Sequence, residues 1–160
     1  MDFPHHHEAS AVIAASAEDV FAYADNPARL SSHMEKSSWA MGGGNMNVEL
    51  DEGGGRNVGS HIRLSGHAFG IELSLDEVLL ERDAPWRKAW QTVARPKLLV
   101  IDRYRMGFDI SPRGSASLLR VFIDYALPDK GIERWLGRLF GRFYAAWCTR
   151  QMVSDAVRHF

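Results

Sequence analysis

Apolar and polar positions along the chain follow two different periods. From Trp39 to Leu127 they alternate, which is typical of strands that bury one face. After Leu127-Pro128-Asp129 the apolar residues instead recur about every 3.6 positions, as in an α-helix. The pattern therefore predicts a strand-rich stretch followed by one long helix over residues 130–159.

Clusters of turn residues divide the alternating stretch into separate strands. These breaks are Gly42-Gly43-Gly44, Gly53-Gly54-Gly55, Asp83-Ala84-Pro85, Arg95-Pro96 and Ser111-Pro112-Arg113-Gly114. They predict six strands, at 39–50, 59–69, 71–82, 86–94, 98–110 and 115–127. Because the breaks are too short to hold crossover helices, we expect the strands to form an antiparallel meander.

The chain before this stretch predicts one strand and two short helices. Residues 5–15 have the character of a strand that ends at Ser16. Ser16 can accept a hydrogen bond from a free backbone N–H of a first helical turn, and Glu18 and Asp19 suit the positive end of the helix dipole. Asp25-Asn26-Pro27 ends this helix and begins the next. The helices are predicted at 17–24 and 27–33.

The predicted last helix carries a wide apolar stripe. Its members are Ile132, Leu136, Leu139, Phe143, Ala146 or Trp147, Val153, Val157 and Phe160, with Trp135, Phe140, Tyr144 and Cys148 beside them. A stripe of this width predicts a helix that a curved sheet contacts on more than one side.

Several short motifs give the chain a family resemblance. The segment 12–30, VIAASAEDVFAYADNPARL, resembles the opening of the SRPBCC superfamily, the polyketide cyclase/START-like proteins. Arg56-Asn57-Val58-Gly59-Ser60, Glu77-Val78 and Ala84-Pro85 are similar to the same superfamily, and the likeness covers nearly all of residues 1–160 as a single domain. It implies an α+β helix-grip fold, in which a curved antiparallel sheet of about seven strands wraps around the long C-terminal helix. It also implies a cavity for apolar or amphipathic small molecules.

Composition narrows the classes of partner. A length of 160 residues with 46% apolar residues suits one domain with a sizeable core. The formal charge of −1 gives no overall attraction to nucleic acid or to an anionic membrane. The single cysteine, Cys148, excludes an internal disulfide, and no apolar run approaches the length of a membrane span. We expect a cytoplasmic protein with no nucleic-acid partner and no integral membrane segment; its oligomeric state stays open.

The candidate motifs for metal or cofactor chemistry are incomplete. His5-His6-His7 alternates between the two faces of a strand, and His61 and His67 would lie about 20 Å apart. The segment 54–60 lacks the lysine of a phosphate-binding loop and is predicted to be a hairpin connection. Cys148 is expected to be a buried, inert thiol. We therefore expect neither a metal nor a cofactor.

Strand 98–110 places one acid on a face that is otherwise apolar. Its even positions include Val100, Tyr104, Met106 and Phe108, so the same alternation directs Asp102 inward. An unpaired buried carboxylate costs several kcal/mol, so Asp102 must be paired, hydrogen-bonded, protonated or near an opening. It is predicted to be a structural partner, a polar anchor for a ligand, or an acid/base group.

Other elements are expected to add aromatic and aliphatic walls to the same interior. Strand 86–94 offers Trp86, Trp90 and Thr92, and strand 115–127 offers Val121 and Ile123. The predicted ligand-binding residues are Trp90, Val100, Asp102, Tyr104, Met106, Phe108, Val121, Ile123, Phe143 and Trp147. Such a lining has few polar groups, which suits a hydrophobic pocket.

Three functions fit these observations. The favoured one is non-catalytic binding of a hydrophobic small molecule such as a lipid, an isoprenoid or a polyketide-like aromatic. The second, implied by the resemblance, is a polyketide cyclase, aromatase or dehydratase in which Asp102, Tyr104 and His33 are the acid/base candidates. The third is an interaction protein. Lys130, Arg134, Arg138 and Arg142 recur every four residues and form either a solvated face or a contact with an anionic surface.

Overall fold

Residues 2–30, 46–68 and 70–160 are described by a computed structural model. In chain order the elements are β1 (His5–Ile13), α1 (Ala17–Ala24), α2 (Pro27–Leu30), β2 (Met46–Leu50), β3 (His61–Ala68), β4 (Ile71–Asp83), β5 (Arg87–Lys97), β6 (Arg103–Arg113), β7 (Ala116–Ala126) and α3 (Gly131–His159). The predicted order of strands and helices is confirmed. The first part of the predicted strand 39–50, the end of the helix 27–33 and Gly42-Gly43-Gly44 lie outside the described residues.

The described strands form one antiparallel sheet in the order β1-β7-β6-β5-β4-β3-β2. Neighbours from β2 to β7 are also consecutive in the chain, so the predicted meander is confirmed. β1 joins the sheet at its other edge by pairing with β7. The helix α3 packs against β1 and β7, so the sheet and the helix form the two layers of a helix-grip fold.

The start of α1 follows directly from local chemistry. Ser16 has an extended backbone, and its Oγ accepts a hydrogen bond from the backbone N–H of Asp19 at 3.1 Å. The same hydroxyl donates to the Asp19 carboxylate at 2.7 Å. These bonds fix the first turn of α1, which buries Val20 and Phe21 against the core.

Replacing Ser16 by Ala is expected to lower the free energy of unfolding by about 1 kcal/mol, the usual loss when an N-cap side chain is removed. Urea unfolding followed by circular dichroism measures the change. Ser10→Ala, on an exposed position of β1, is the matched control and is expected to change it little. An equal loss in both variants would contradict the capping role of Ser16.

The boundary between β5 and β6 lies later than predicted. Arg95-Pro96 falls inside β5, which continues to Lys97, and β6 begins only at Arg103. The pairing of β4 with β5 shifts register between Val93 and Lys97, and Ala94 has a φ of 59°. The proline therefore belongs to a bulge and not to a turn, and the β5–β6 connection is 98–102.

The buried face of α3 differs from the predicted stripe. It consists mainly of small residues, with larger ones toward the C-terminus: Gly137, Gly141, Ala145, Cys148, Thr149, Met152, Val153 and Ala156. A Cβ added at Gly141 would lie 2.9 Å from the carbonyl oxygen of Val100 and 2.5 Å from the Leu127 side chain. The helix therefore lies very close to the β5–β6 connection, and this approach requires glycine.

Most of the predicted stripe is consequently on the outside of α3. Ile132, Leu139 and Phe143 are exposed, as are Val157 and Phe160. Only Val153 is fully buried, while Leu136, Ala146 and Trp147 are half-buried. The prediction of the helix is confirmed, but the prediction of its buried face is wrong. The small residues face the sheet and the β5–β6 connection, because only they allow the helix to approach so closely.

The core among the described residues consists of two clusters. The larger joins α1, the middle of the sheet and the C-terminal half of α3. The smaller contains Ile62, Leu64, Leu73 and Leu75 from β3 and β4. Tyr104 packs against both clusters. It therefore lies where the two parts of the interior meet.

Candidate functional site

A buried carboxyl group lies on the inward face of β4. Leu73, Leu75, Glu77 and Leu79 alternate with less buried residues along this strand, and each of the four is buried. The register of the strand therefore forces the Glu77 side chain into an apolar layer. Among the described residues it has no lysine, arginine or histidine as an ion-pair partner.

Two neutral donors serve Glu77 instead of a cation. The Tyr104 hydroxyl donates a short hydrogen bond to Glu77 Oε1, and the Trp90 indole donates a second hydrogen bond. Burial raises the pKa of the Glu77 carboxyl to about 7, although both hydrogen bonds act to lower it. Near neutral pH the group is therefore able to accept or release a proton.

The backbone of Tyr104 is fixed by a buried hydroxyl on the neighbouring strand. Thr92 Oγ1 accepts a hydrogen bond from the Tyr104 N–H at 3.1 Å and donates to the Tyr104 carbonyl at 3.3 Å. The regular ladder between β5 and β6 ends at Gln91 and Arg105, so the threonine side chain continues it by one residue. These two bonds fix the backbone of Tyr104, the residue whose hydroxyl donates to Glu77.

The helix contributes two further polar groups to this region. The Tyr144 hydroxyl and the Cys148 thiol are hydrogen-bonded to each other, and burial raises the pKa of Cys148 to about 12. Burial and the Glu77 charge raise the pKa of Tyr104, with smaller contributions from Tyr144 and Cys148. Groups from β4, β6 and α3 thus face one another. The predicted burial of Cys148 is confirmed.

The structure brings most of the predicted site residues to the same side of the sheet. Trp90, Met106, Phe108, Val121 and Ile123 are buried in the larger cluster. Val100, Tyr104 and Trp147 pack against it while keeping part of their surface accessible. Of these residues, Trp90 and Tyr104 form hydrogen bonds with Glu77, and the others belong to the same apolar cluster.

The inward, buried position predicted for Asp102 is wrong. Its side chain is 35% exposed and lies 3.5 Å from the Arg103 guanidinium. Asp102 precedes β6 and stands in a bend, although its backbone N–H still donates to the Ala126 carbonyl at 2.9 Å. Alternation is correct from Tyr104 onward but does not extend to a residue outside the strand.

Glu77 is the acid that the sequence reasoning missed. The signal was present, because Leu73, Leu75 and Leu79 give strand 71–82 an apolar face that includes Glu77. The same alternation argument that was applied to Asp102 finds it.

Two other predicted residues do not join the site. Phe143 is 71% exposed on the outside of α3, so its predicted inward position is wrong. Trp86 is 42% exposed, in the turn between β4 and β5. His33, an acid/base candidate, lies outside the described residues.

A second buried polar cluster lies beside α1 and involves Lys88, which the sequence reasoning also missed. Lys88 Nζ is 2.8 Å from Asp25 Oδ1 and donates to the Asp25 carbonyl at 3.0 Å. Arg82 donates two hydrogen bonds to the same carboxylate, at 3.1 and 2.9 Å. Although burial acts to raise it, these bonds hold the pKa of Asp25 below its usual value. This cluster connects the end of α1 to the sheet.

Two further features concern possible metal and ligand sites. No group of three or more histidine, cysteine or acidic residues suited to a metal occurs in the described parts of the chain. A surface pocket of about 320 Å³ lies between α1, α2 and the end of α3, and none of the predicted site residues lines it.

Comparison of the structure with solved structures identifies its fold. Norcoclaurine synthase from Thalictrum flavum matches with a TM-score of 0.65 and 15% identity, over 96% of this chain and 84% of that one. Protein CV1439 from Chromobacterium violaceum matches at 0.62 and 16%, over 97% and 96%. Ara h 8.0201 matches at 0.62 and 9%, also over 97% and 96%. No protein-family model matches the sequence, and no curated protein is significantly similar to it.

These similarities establish the class of structure. The chain has the Bet v 1-like helix-grip fold, and the fold that its sequence motifs predicted is confirmed. No helix of the described residues has both the length and the apolar character needed to cross a membrane.

Proposed function

We propose that the protein binds a hydrophobic or amphipathic small molecule between the sheet and α3, with Glu77 as its polar anchor. The observation that carries this proposal is a buried carboxyl group with no cationic partner among the described residues, placed in an apolar interior. Such a group is costly for stability alone, which favours a role in binding.

The surroundings of Glu77 suit an apolar ligand with one polar end. Val100, Tyr104 and Trp147 keep accessible surface while they pack against the larger cluster, and Tyr104 also packs against the smaller one. A ligand between the two clusters would contact aromatic and aliphatic walls, and its hydroxyl or amine could donate to Glu77. Lipids, isoprenoids and polyketide-like aromatics have this character.

A second candidate is an enzyme that uses the same site. Burial brings the pKa of Glu77 close to neutral, which is the range suited to a general acid or base. Tyr104 lies within hydrogen-bonding distance of it and would orient the carboxyl group. In this hypothesis Glu77 takes the role that the sequence reasoning gave to Asp102.

An environment-sensitive apolar dye is expected to bind saturably, with roughly micromolar affinity. Fatty acids or flat aromatics should displace it. Glu77→Gln should weaken a ligand that donates to the carboxylate by roughly 10- to 100-fold, the usual loss for a charged hydrogen bond. A catalytic Glu77 would instead leave affinity nearly unchanged and reduce turnover by about 10²–10⁴-fold once a substrate is found.

Asp102→Asn is the matched control. It also removes a carboxylate that the alternating sequence pattern directs inward, but the Asp102 side chain is 35% exposed in the structure. We expect this variant to bind like the unmodified protein. Dye uptake that rises linearly with concentration, without displacement by fatty acids or aromatics, would contradict the binding proposal. If the dye binds saturably, native mass spectrometry of protein from its own host should identify the retained ligand.

A further inference from the structure

The N-terminal half of α3 exposes an unusual amount of apolar surface. Ile132, Trp135, Leu139, Phe140 and Phe143 are between 51% and 74% exposed. We call these five residues the outer face. Spacings of three and four residues place them on one side of the helix, opposite the glycines that contact the β5–β6 connection.

Isolated exposed apolar residues are common, but five large ones in about three turns form a continuous patch. Contiguous apolar surface of this kind usually marks a site of interaction. The close contacts of Gly137 and Gly141 with Val100 and the segment 127–128 prevent the helix from rolling to bury these side chains. The outer face is therefore held outward by the fold itself.

The same segment is strongly basic. Residues 130–142 contain Lys130, Arg134, Arg138 and Arg142 but only one acid, Glu133, so their net charge is +3 in a chain of net charge −1. All four cationic residues are exposed. The ion pairs formed among the described residues involve none of them.

These two properties point to one kind of partner. An apolar helix face bordered by lysine and arginine is the pattern of a helix that lies in the interface of an anionic membrane. A second copy of the chain is disfavoured, because a two-fold contact through α3 would bring the same cations together. A membrane-spanning arrangement is not needed, since α3 has neither the length of apolar sequence nor the low charge for it.

We propose that the protein docks on anionic phospholipid bilayers through the outer face of α3, with Arg138 and Arg142, which lie beside that face, contacting lipid headgroups. Trp135, Phe140 and Phe143 enter the headgroup and acyl boundary. This inference does not depend on the proposed ligand, because it rests on the outside of α3 and not on the surroundings of Glu77.

The test uses the full chain and vesicle flotation. The protein should float with phosphatidylcholine vesicles that contain about 30% phosphatidylserine and should bind far more weakly to phosphatidylcholine alone. Binding should weaken as salt is raised, since surface charges are screened. Tryptophan emission should shift to shorter wavelength on binding, and Trp135→Phe should bind while losing most of that shift.

Two variants separate the apolar and the electrostatic contributions. Phe143→Ser should weaken vesicle binding by roughly 10-fold through lost apolar burial. Arg138→Gln with Arg142→Gln should weaken it by roughly 25-fold, at about five-fold for each cation near the surface. Both variants change exposed side chains, and their circular dichroism melting curves should match that of the unmodified protein.

The matched controls are Val58→Ser and Arg113→Gln. Both residues are exposed, and both lie at the end of the strands opposite the start of α3. They should leave vesicle binding unchanged. The proposal is overturned by equal binding to both kinds of vesicle, by unchanged binding of the charge variant, or by a dimer in sedimentation analysis that Phe143→Ser abolishes.

Discussion

Replacing Asp25 by Asn will lower the free energy of unfolding by about 3–5 kcal/mol, as is usual when one partner of a buried ion pair is removed. Lys88 is 1% exposed and lies 2.8 Å from the Asp25 carboxylate, while Arg82 binds the same group. Arg56 lies 3.8 Å from the same carboxylate, so removing this acid leaves three cations near one another with no acid between them. Urea unfolding at neutral pH measures the loss.

The matched variant removes a cation and keeps the acid. In Lys88→Met the carboxylate still accepts two hydrogen bonds from Arg82, and an apolar side chain of similar length fills the buried space. We therefore expect a loss of no more than about 1–2 kcal/mol, since Arg82 still compensates the carboxylate and no buried charge is left without a partner. Equal losses in the two variants would show that packing, and not charge compensation, governs this cluster.

Stability is also expected to depend on pH through Glu77. Burial raises the pKa of this carboxyl from 4.5 to about 7 in the folded protein. Between those pH values the unfolded chain loses a proton that the folded chain keeps. The stabilising contribution of Glu77 to the free energy of unfolding is therefore fully present below pH 4.5. It is lost as pH rises to 7, and the total decrease in the free energy of unfolding is about 3 kcal/mol.

Glu77→Gln isolates this effect, because the amide oxygen still accepts the hydrogen bonds from Tyr104 and Trp90 but the side chain cannot ionise. The difference in unfolding free energy between the two proteins should therefore change in favour of the variant as pH rises. Glu72→Gln, at an exposed position of the same strand, is the control and should show no such change. A constant difference across this pH range for Glu77→Gln would contradict the raised pKa.

Local chemistry made most of the fold predictable from sequence. Ser16 with Glu18 and Asp19 locates the start of α1, and Gly53-Gly54-Gly55 forms the connection between β2 and β3, where Gly54 and Gly55 have positive φ. The strand boundary predicted at Arg95-Pro96 was wrong because proline is equally compatible with a turn and with a bulge in a strand. Only the pairing partner, β4, decides between these two structures.

The inward face of α3 was not predictable from hydrophobicity alone. Both sides of the helix carry apolar residues, and the side with the larger ones, which was predicted to be buried, is exposed. Gly137, Gly141 and Ala145 also recur every four residues, but their importance depends on how closely the β5–β6 connection approaches. Periodicity specifies that a helix has faces, whereas the shape of its neighbour selects the buried one.

The candidate site shows a related limit. The alternation rule itself was sound, and it finds Tyr104, Met106 and Phe108 correctly. It failed at Asp102 because this residue lies immediately before β6, and strand ends are set by pairing with other strands. The hydrogen bond between Glu77 and Tyr104 joins β4 and β6, across β5, and no local signal predicts it.

The pairing of β1 with β7 has a consequence for how the chain acquires its fold. His5 pairs with Tyr125, so the backbone groups of β1 cannot form their sheet hydrogen bonds until nearly the whole sheet has been synthesised. A ribosome releases β1 first and β7 last among the strands, and the intervening meander assembles through local hairpins. Closing this distant contact carries a large entropic cost, so it is the natural late step of folding. Until it closes, β7 remains an open sheet edge to which another chain can pair.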